Sequence, residues 1–277
     1  MNFKYLGTAA AEGFPALFCM CDTCQKARKS GGRNIRTRAQ AMLDETILFD
    51  FGPDSFMHML VQNAPYEKIH HVLITHAHDD HFYLPDFIYR RPGFAAKVEK
   101  EPLYVYSHKI AYDRLIEAVN NDQMIDYVCP VCIEPYKPFK IKDYEVVALK
   151  ANHSEAAGPY IYLVKKDGKS MLYAHDTGLF PDETWDYLEK NLTKPLSFAS
   201  LDCTAGLLIG WNYGGHMSFE SLLIAKNKML EKHIIDDKTI LVANHFSHNG
   251  HGTYDEMLEI GKQNNVIISY DGLELEI

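Results

Sequence analysis

Short apolar runs rich in β-branched and aromatic residues recur along the chain and read as strands, because they are too short for helices and each is closed by a turn residue. This spacing predicts strands over residues 3–7, 36–43, 46–51, 69–74, 103–106, 144–150, 160–164, 170–174, 196–201, 239–243 and 266–270, with a short edge strand at 273–277. Lys165-Lys166-Asp167-Gly168-Lys169 supplies the turn of a hairpin between two of them. Apolar positions three and four apart predict helices over 110–120 and 254–263, and another from a Ser218 cap to Leu230. Shorter helices are expected over 25–29, capped by Asp22 or Thr23, and up to Asn63, capped by Asp54 or Ser55. A further helix begins at Leu84-Pro85-Asp86-Phe87 and is interrupted by Pro92-Gly93. Strands cluster in both halves with helices between and no internal repeat. The pattern predicts an α/β fold, one domain over 1–277 with two β-layers flanked by helices.

The composition adds bounds. With 277 residues the chain can bury a sizeable core unaided. A net charge of −9 opposes a large nucleic-acid partner, which usually meets a basic face. Met1-Asn2-Phe3-Lys4-Tyr5 lacks the regions of a signal peptide, and no apolar run approaches the length of a membrane span. A soluble, cytoplasmic protein is expected, in which six Cys are free thiols or metal ligands rather than disulfides.

The candidate chemistry begins where the run 69–74 ends. His76, His78, Asp80 and His81 follow it within six residues. Imidazole and carboxylate together suit zinc, manganese or iron, and four such groups on one turn suit two adjacent ions better than one. Cys19, Cys21 and Cys24 can converge on one zinc, with a fourth ligand from elsewhere. Cys129 and Cys132 have no further Cys or His nearby and read as a pair of strand cysteines. The Tyr-rich stretch 83–112 reads as core and rim aromatics. The loop Gly206 to Gly215, with Trp211 and Tyr213, reads as a substrate-facing segment ahead of His216. His245 and His248 have the spacing two metal sites would need, with His251 a spare.

His76-x-His78-x-Asp80-His81 resembles the signature of the metallo-β-lactamase superfamily. The resemblance implies an αββα sandwich with a two-metal hydrolytic site along one edge. The opening from Gly7-Thr8 through Gly13, Pro15, Cys19, Cys21 and Cys24 to Ala27-Arg28 resembles the PhnP-like phosphodiesterases and PqqB-like proteins, whose members typically carry a structural zinc beside the catalytic pair. On that basis Asp50, in Asp50-Phe51-Gly52-Pro53-Asp54, supports the metal loop without binding metal. His153 is the third His, His245 the last catalytic ligand, His248 the fourth ligand of the cysteine zinc, and His216 a non-ligand His near the scissile phosphate. His175-Asp176-Thr177-Gly178 resembles the element that carries the bridging carboxylate, although His175 departs from the usual small residue.

The resemblance thus implies one metal on His76, His78, His153 and Asp176 and a second on Asp80, His81, Asp176 and His245. Zinc or manganese, or iron, would fill that pair, and zinc the cysteine site. The activity implied is hydrolysis of a cyclic or small nucleotide-like phosphodiester, with Asp80 and His216 catalytic. A tRNA 3′-processing endonuclease would need a basic surface or an exosite arm, and neither is evident. A PqqB-like role in cofactor biosynthesis or metal binding is the other alternative, against which every catalytic ligand position is filled. The partner expected is a small diester, without membrane or extended nucleic-acid surface, and a homodimer is left open.

Overall fold

The computed structural model describes residues 1–211 and 214–277. Tyr213, assigned above to the substrate-facing loop, lies outside the described residues. The first sheet is built by β1 (Asn2–Gly7), β2 (Gln40–Leu43), β3 (Ile47–Phe49), β4 (His71–Leu73), β5 (Leu103–Ser107) and β6 (Val128–Cys132), in that spatial order. The second runs in reverse spatial order through β7 (Phe139–Ile141), β8 (Tyr144–Lys150), β9 (Tyr160–Lys166), β10 (Lys169–Ala174), β11 (Phe198–Asp202), β12 (Ile240–Asn244) and β13 (Ile267–Ile268). The last strand, β14 (Glu274–Glu276), returns to the first sheet and pairs antiparallel with β1. The helices are α1 (Asp22–Ser30), α2 (Ser55–Gln62), α3 (Lys109–Asn121), α4 (Asp182–Asn191), α5 (Phe219–Glu231) and α6 (Tyr254–Gln263).

The two sheets face each other across an aromatic core. Phe3 and Phe198 meet at 4.9 Å between ring centroids, and Phe49 stacks on Tyr173 at 4.4 Å. Strands 9 and 10 are buried on both faces, which explains why Tyr-Ile-Tyr-Leu-Val reads as continuously apolar rather than alternating. On the outer face of the second sheet pack Trp185 and Leu188 of α4, Leu222 and Met229 of α5 and Met257 of α6. Ala111, Leu115 and Val119 of α3 cover the first sheet. These layers are the sandwich that the sequence pattern implied.

Strand direction creates one functional edge. Strands 10, 11 and 12 run parallel, and β8 reaches the same direction through two antiparallel pairings. Their carboxyl ends therefore open on one side, where α/β sheets commonly take ligands. In the first sheet β4 lies parallel to β3 and β5. Its exit is tied to that edge by a hydrogen bond from the Tyr162 hydroxyl to the Ile74 carbonyl at 2.6 Å and from the Tyr160 amide to Thr75 at 2.8 Å.

Several elements depart from expectation. The span 36–43 is a strand only from Gln40, the preceding residues making isolated bridges. The segment Leu84–Arg90 is a 3₁₀ helix. Cys21, not Asp22 or Thr23, caps α1, because its sulfur accepts from the Cys24 amide. Asp54 stands at the start of α2 but makes no capping bond, since its carboxylate accepts from the Arg38 amide and guanidinium instead. Cys129 and Cys132 both lie on β6 and are free thiols. Among the described residues no helix is long and apolar enough to cross a membrane.

One buried base gives a stability prediction. His58 of α2 is buried with Nδ1 2.5 Å from Gln40 Oε1 and Nε2 2.8 Å from Thr37 Oγ1. Burial lowers its pKa to about 4, against a smaller opposing effect of Asp54. The unfolded chain then binds a proton near pH 6.5 that the folded chain refuses until about pH 4. Stability is therefore complete above the unfolded pKa and declines as pH falls from 6.5 to 4, by on the order of 2–3 kcal/mol. In urea titrations across that range, His58→Gln should lose this part of the pH slope. Parallel slopes for the two proteins would remove His58 as its source.

Candidate metal centre

The edge described above gathers side chains from four chain segments. His76, His78, Asp80 and His81 lie on the loop leaving β4, and His153 follows β8. Asp176 follows β10, and His245 follows β12. Both Asp176 and His245 sit at positive φ, 50° and 66°, which turns their side chains sharply out of the strand direction.

Two groups of donor atoms result. In one, the Nδ1 of His78 lies 2.9 Å from His76 Nε2 and 3.3 Å from His153 Nε2. Asp176 Oδ1 stands 3.9 Å from His153 Nε2. In the other, Asp176 Oδ2 is 3.0 Å from His81 Nε2 and 2.8 Å from His245 Nε2, and Asp80 Oδ2 is 3.0 Å from His81 Nε2. Asp176 thus turns one oxygen toward each group. The atoms His81 Nε2, His245 Nε2 and Asp176 Oδ2 are buried without a directed hydrogen bond, close as they are. Leaving buried polar atoms unsatisfied is costly, and convergent unsatisfied imidazole and carboxylate atoms match the donor set of a divalent ion.

In four of the five rings the opposite side is already engaged. His81 Nδ1 is 2.8 Å from Asp50 Oδ2, and His153 Nδ1 is 3.1 Å from the Gly215 carbonyl oxygen. His245 Nδ1 is 2.8 Å from Thr204 Oγ1, and His76 Nδ1 is 3.0 Å from Thr75 Oγ1. Metal-ligating imidazoles are characteristically fixed in this way, one nitrogen held by the protein and the other aimed at the ion. Asp50 itself accepts from the Thr75 amide at 2.7 Å and from the Thr75 hydroxyl. It stands behind the metal loop, where the resemblance expected it.

Asp202 is a residue that sequence reasoning missed. It closes β11 between Asp176 and His245 and is fully buried. Its oxygens accept from the amides of Asp176, Thr204 and Met217 and from the Thr204 hydroxyl, so it braces the bridging carboxylate rather than offering itself as a ligand. His216 Nδ1 lies 3.3 Å from Asp202 Oδ2, which turns the other ring nitrogen away from that carboxylate. The only signal was a carboxylate ending a buried run, as Asp50 does.

The electrostatics follow from this packing. Burial opposes charge on Asp176, but facing His245 and His81 hold its carboxyl well below the usual range. Burial also opposes charge on His81, yet Asp80, Asp176 and Asp50 raise it well above the ordinary value. Burial and neighbouring His81 keep His76 neutral. For His216 burial is outweighed by Asp202 and Asp176, which bring it to about 9. His175, beside Asp176, is buried with Nε2 2.7 Å from Ser200 Oγ and belongs to the polar network behind the centre.

A second cluster joins the ends of the chain. Cys19, Cys21, Cys24 and His248 place one ligand atom each within 4.8 Å of one another. Cys21 Sγ is 3.5 Å from His248 Nδ1. The Ala16 amide donates to Cys24 Sγ at 3.3 Å and the Cys21 amide to Cys19 Sγ at 3.4 Å. Burial pushes Cys24 up to about 12, whereas Cys21, despite burial, is brought down to about 6 by hydrogen bonds from the Cys24 amide and His248. Three sulfurs and one imidazole suit tetrahedral zinc. His251 is exposed and belongs to no such group among the described residues.

A pocket of about 380 Å³ opens onto the His/Asp centre. Ala10, Glu12, Leu208, Trp211, Ser247 and Asn249 form much of its wall. No residue of the Tyr-rich segment 83–112 lines it. A larger apolar cavity beneath Phe87 and Tyr89 lies away from these ligands.

Comparison with known proteins agrees with the geometry. Residues 45–260 match the model of the beta-lactamase superfamily domain. Over 167 residues the chain is 29% identical to a ribonuclease Z of Pyrococcus horikoshii, covering 57% of this chain and 52% of that protein. The chain spans about half the length of the curated relatives it matches. Among solved structures, a diphosphatase from the PhnP family superposes with a TM-score of 0.73 at 20% identity, over 100% of this chain and 97% of the other. Zinc-bound PqqB from Methylobacterium extorquens gives 0.75 at 17% identity over 100% of both chains. The fold, the paired His/Asp groups and the domain match place this chain in the beta-lactamase superfamily, to which it belongs.

Proposed function

We propose that this protein is a metal-dependent phosphodiesterase acting on a cyclic or small nucleotide-like diester. The observation that carries the reading is the convergence of two imidazole–carboxylate groups on opposite oxygens of Asp176. His76, His78, His153 and Asp176 would hold one divalent ion, zinc or manganese, and Asp80, His81, Asp176 and His245 the other. Cys19, Cys21, Cys24 and His248 would hold a structural zinc. Ions bound there would supply Lewis acidity and make hydroxide available near neutral pH.

The chain's own residues do the rest. Asp50, Thr75, Thr204 and the Gly215 carbonyl fix the rings, so the site pays no reorganisation when charge develops. Asp80, 14% exposed in the pocket lining, would take a proton from the attacking water. His216, held on one side by Asp202, donates its other N–H toward a phosphoryl or leaving oxygen. The phosphodiester assignment draws support from the PhnP-like opening of the sequence and from the similarity to ribonuclease Z proteins, named for action on RNA. Purified protein loaded with Mn²⁺ or Zn²⁺ should hydrolyse bis(p-nitrophenyl) phosphate. Turnover of phosphomonoesters or lactams with none of the diester would overturn the substrate class.

A further inference from the structure

The pocket wall carries a carboxylate that neither ligand group uses. Glu12 lies between β1 and α1 and lines the same pocket as His78, Asp176 and His216. Its Oε1 accepts a hydrogen bond from the Ser247 hydroxyl and stands 3.6 Å from His248 Nε2. The side chain is thus oriented from one side by the loop leaving β12. Its Oε2 has no protein partner among the described residues, and the side chain remains 33% exposed. One carboxylate oxygen is therefore held, and the other is free to meet a ligand.

The rest of the wall narrows what that ligand is. None of the described residues lining the pocket is Lys or Arg. A phosphate entering it is met by imidazoles, by neutral donors such as Thr204, Ser247 and Asn249, and by whatever ions the ligand groups hold. A second phosphate on the same molecule would find no Lys or Arg among the described lining residues and would face the Glu12 charge. A hydroxyl is the opposite case, because a carboxylate oxygen is a strong acceptor for it. Leu208 gives the pocket that holds Glu12 an apolar surface, and Asn249 adds a side-chain amide.

We propose that Glu12 is a specificity-determining residue whose Oε2 accepts a hydrogen bond from a substrate hydroxyl, so that the pocket selects singly charged phosphodiesters of hydroxyl-bearing sugars. The identity of the reacting group rests on the phosphodiesterase reading above, whereas the hydroxyl contact does not. A bond from a neutral donor to a charged acceptor corresponds to about tenfold or more in affinity. Omitting the donor also leaves the acceptor poorly satisfied, which strengthens discrimination.

The test measures binding, by titration calorimetry on the metal-loaded protein, of adenosine 5′-(methyl phosphate) and its 2′,3′-dideoxy counterpart. The two ligands carry the same single charge and differ only in hydroxyls. The native protein should prefer the hydroxylated ligand by about tenfold or more, and Glu12→Ala should bring the ratio close to one with metal content unchanged. Equal affinity of the native protein for both ligands would overturn the proposal without any variant. Equal weakening of both ligands in Glu12→Ala, together with a loss of metal, would also overturn it, since that is what a role confined to bracing His248 predicts. A preserved hydroxyl preference in a protein that hydrolyses no diester would remove the phosphodiesterase reading and leave Glu12 as the hydroxyl contact.

Discussion

Asp176→Ala should strip the His/Asp centre of at least one metal equivalent and lower diester hydrolysis by at least about 100-fold. The expectation comes from position. Oδ2 of Asp176 lies within 3.0 Å of both His81 Nε2 and His245 Nε2, and Oδ1 lies 3.9 Å from both His153 Nε2 and His216 Nδ1. Among the described residues no other carboxylate touches both groups. Asp80 contacts His81, and Asp202 is occupied by amides and a hydroxyl. Truncation to Ala therefore removes the one group shared by two sites and leaves buried imidazoles facing each other. Metal analysis of the purified variant gives the first readout, and turnover of bis(p-nitrophenyl) phosphate the second. Full metal content with near-native activity would mean that the two groups do not act as one centre. Asp176→Asn is the useful companion, because it keeps the volume and one carbonyl oxygen while removing the charge. It should retain more stability than Ala but little more metal.

Much of this centre was readable in the sequence because its side chains follow buried strands. The run before His76 is apolar and β-branched, and the strand before His245 is likewise short and buried. A polar metal ligand immediately after such a run stands out against it. Position alone did not single out His153 or Asp176, which needed the resemblance to a known pattern. Asp202 stayed hidden because its role depends on sheet order: β11 lies between β10 and β12, and nothing in residues 198–202 reveals those neighbours. Glu12 was missed for a similar reason, since its partners Ser247 and His248 are 235 and 236 positions away. Helix α4 escaped as well. It buries only Thr184, Trp185 and Leu188 and carries charged residues elsewhere, too sparse a stripe for a periodic signal. Cys21 capped α1 against expectation because thiols rarely serve as caps, and only its sulfur's place beside Cys24 and His248 makes it one here.

The Cys21 position also gives the second large effect. Cys21→Ser should remove about one metal equivalent and lower the melting temperature by several degrees or more. Serine is itself a good helix cap, so the start of α1 is retained and the loss reports on the metal ligand rather than on the helix. The thiolate it replaces is brought down to about 6, against burial, by the Cys24 amide and His248. With a weaker oxygen ligand in its place, the remaining two sulfurs and one imidazole bind zinc poorly. Because the site links residues 19–24 to residue 248, losing it frees both the first loop and the loop after β12. Binding energy at such a site is folding energy, and a chelator applied to the native protein should reproduce the destabilisation. The pocket wall should respond too, since Glu12 and Ser247 sit beside His248. Unchanged zinc content in Cys21→Ser would discard the cysteine site.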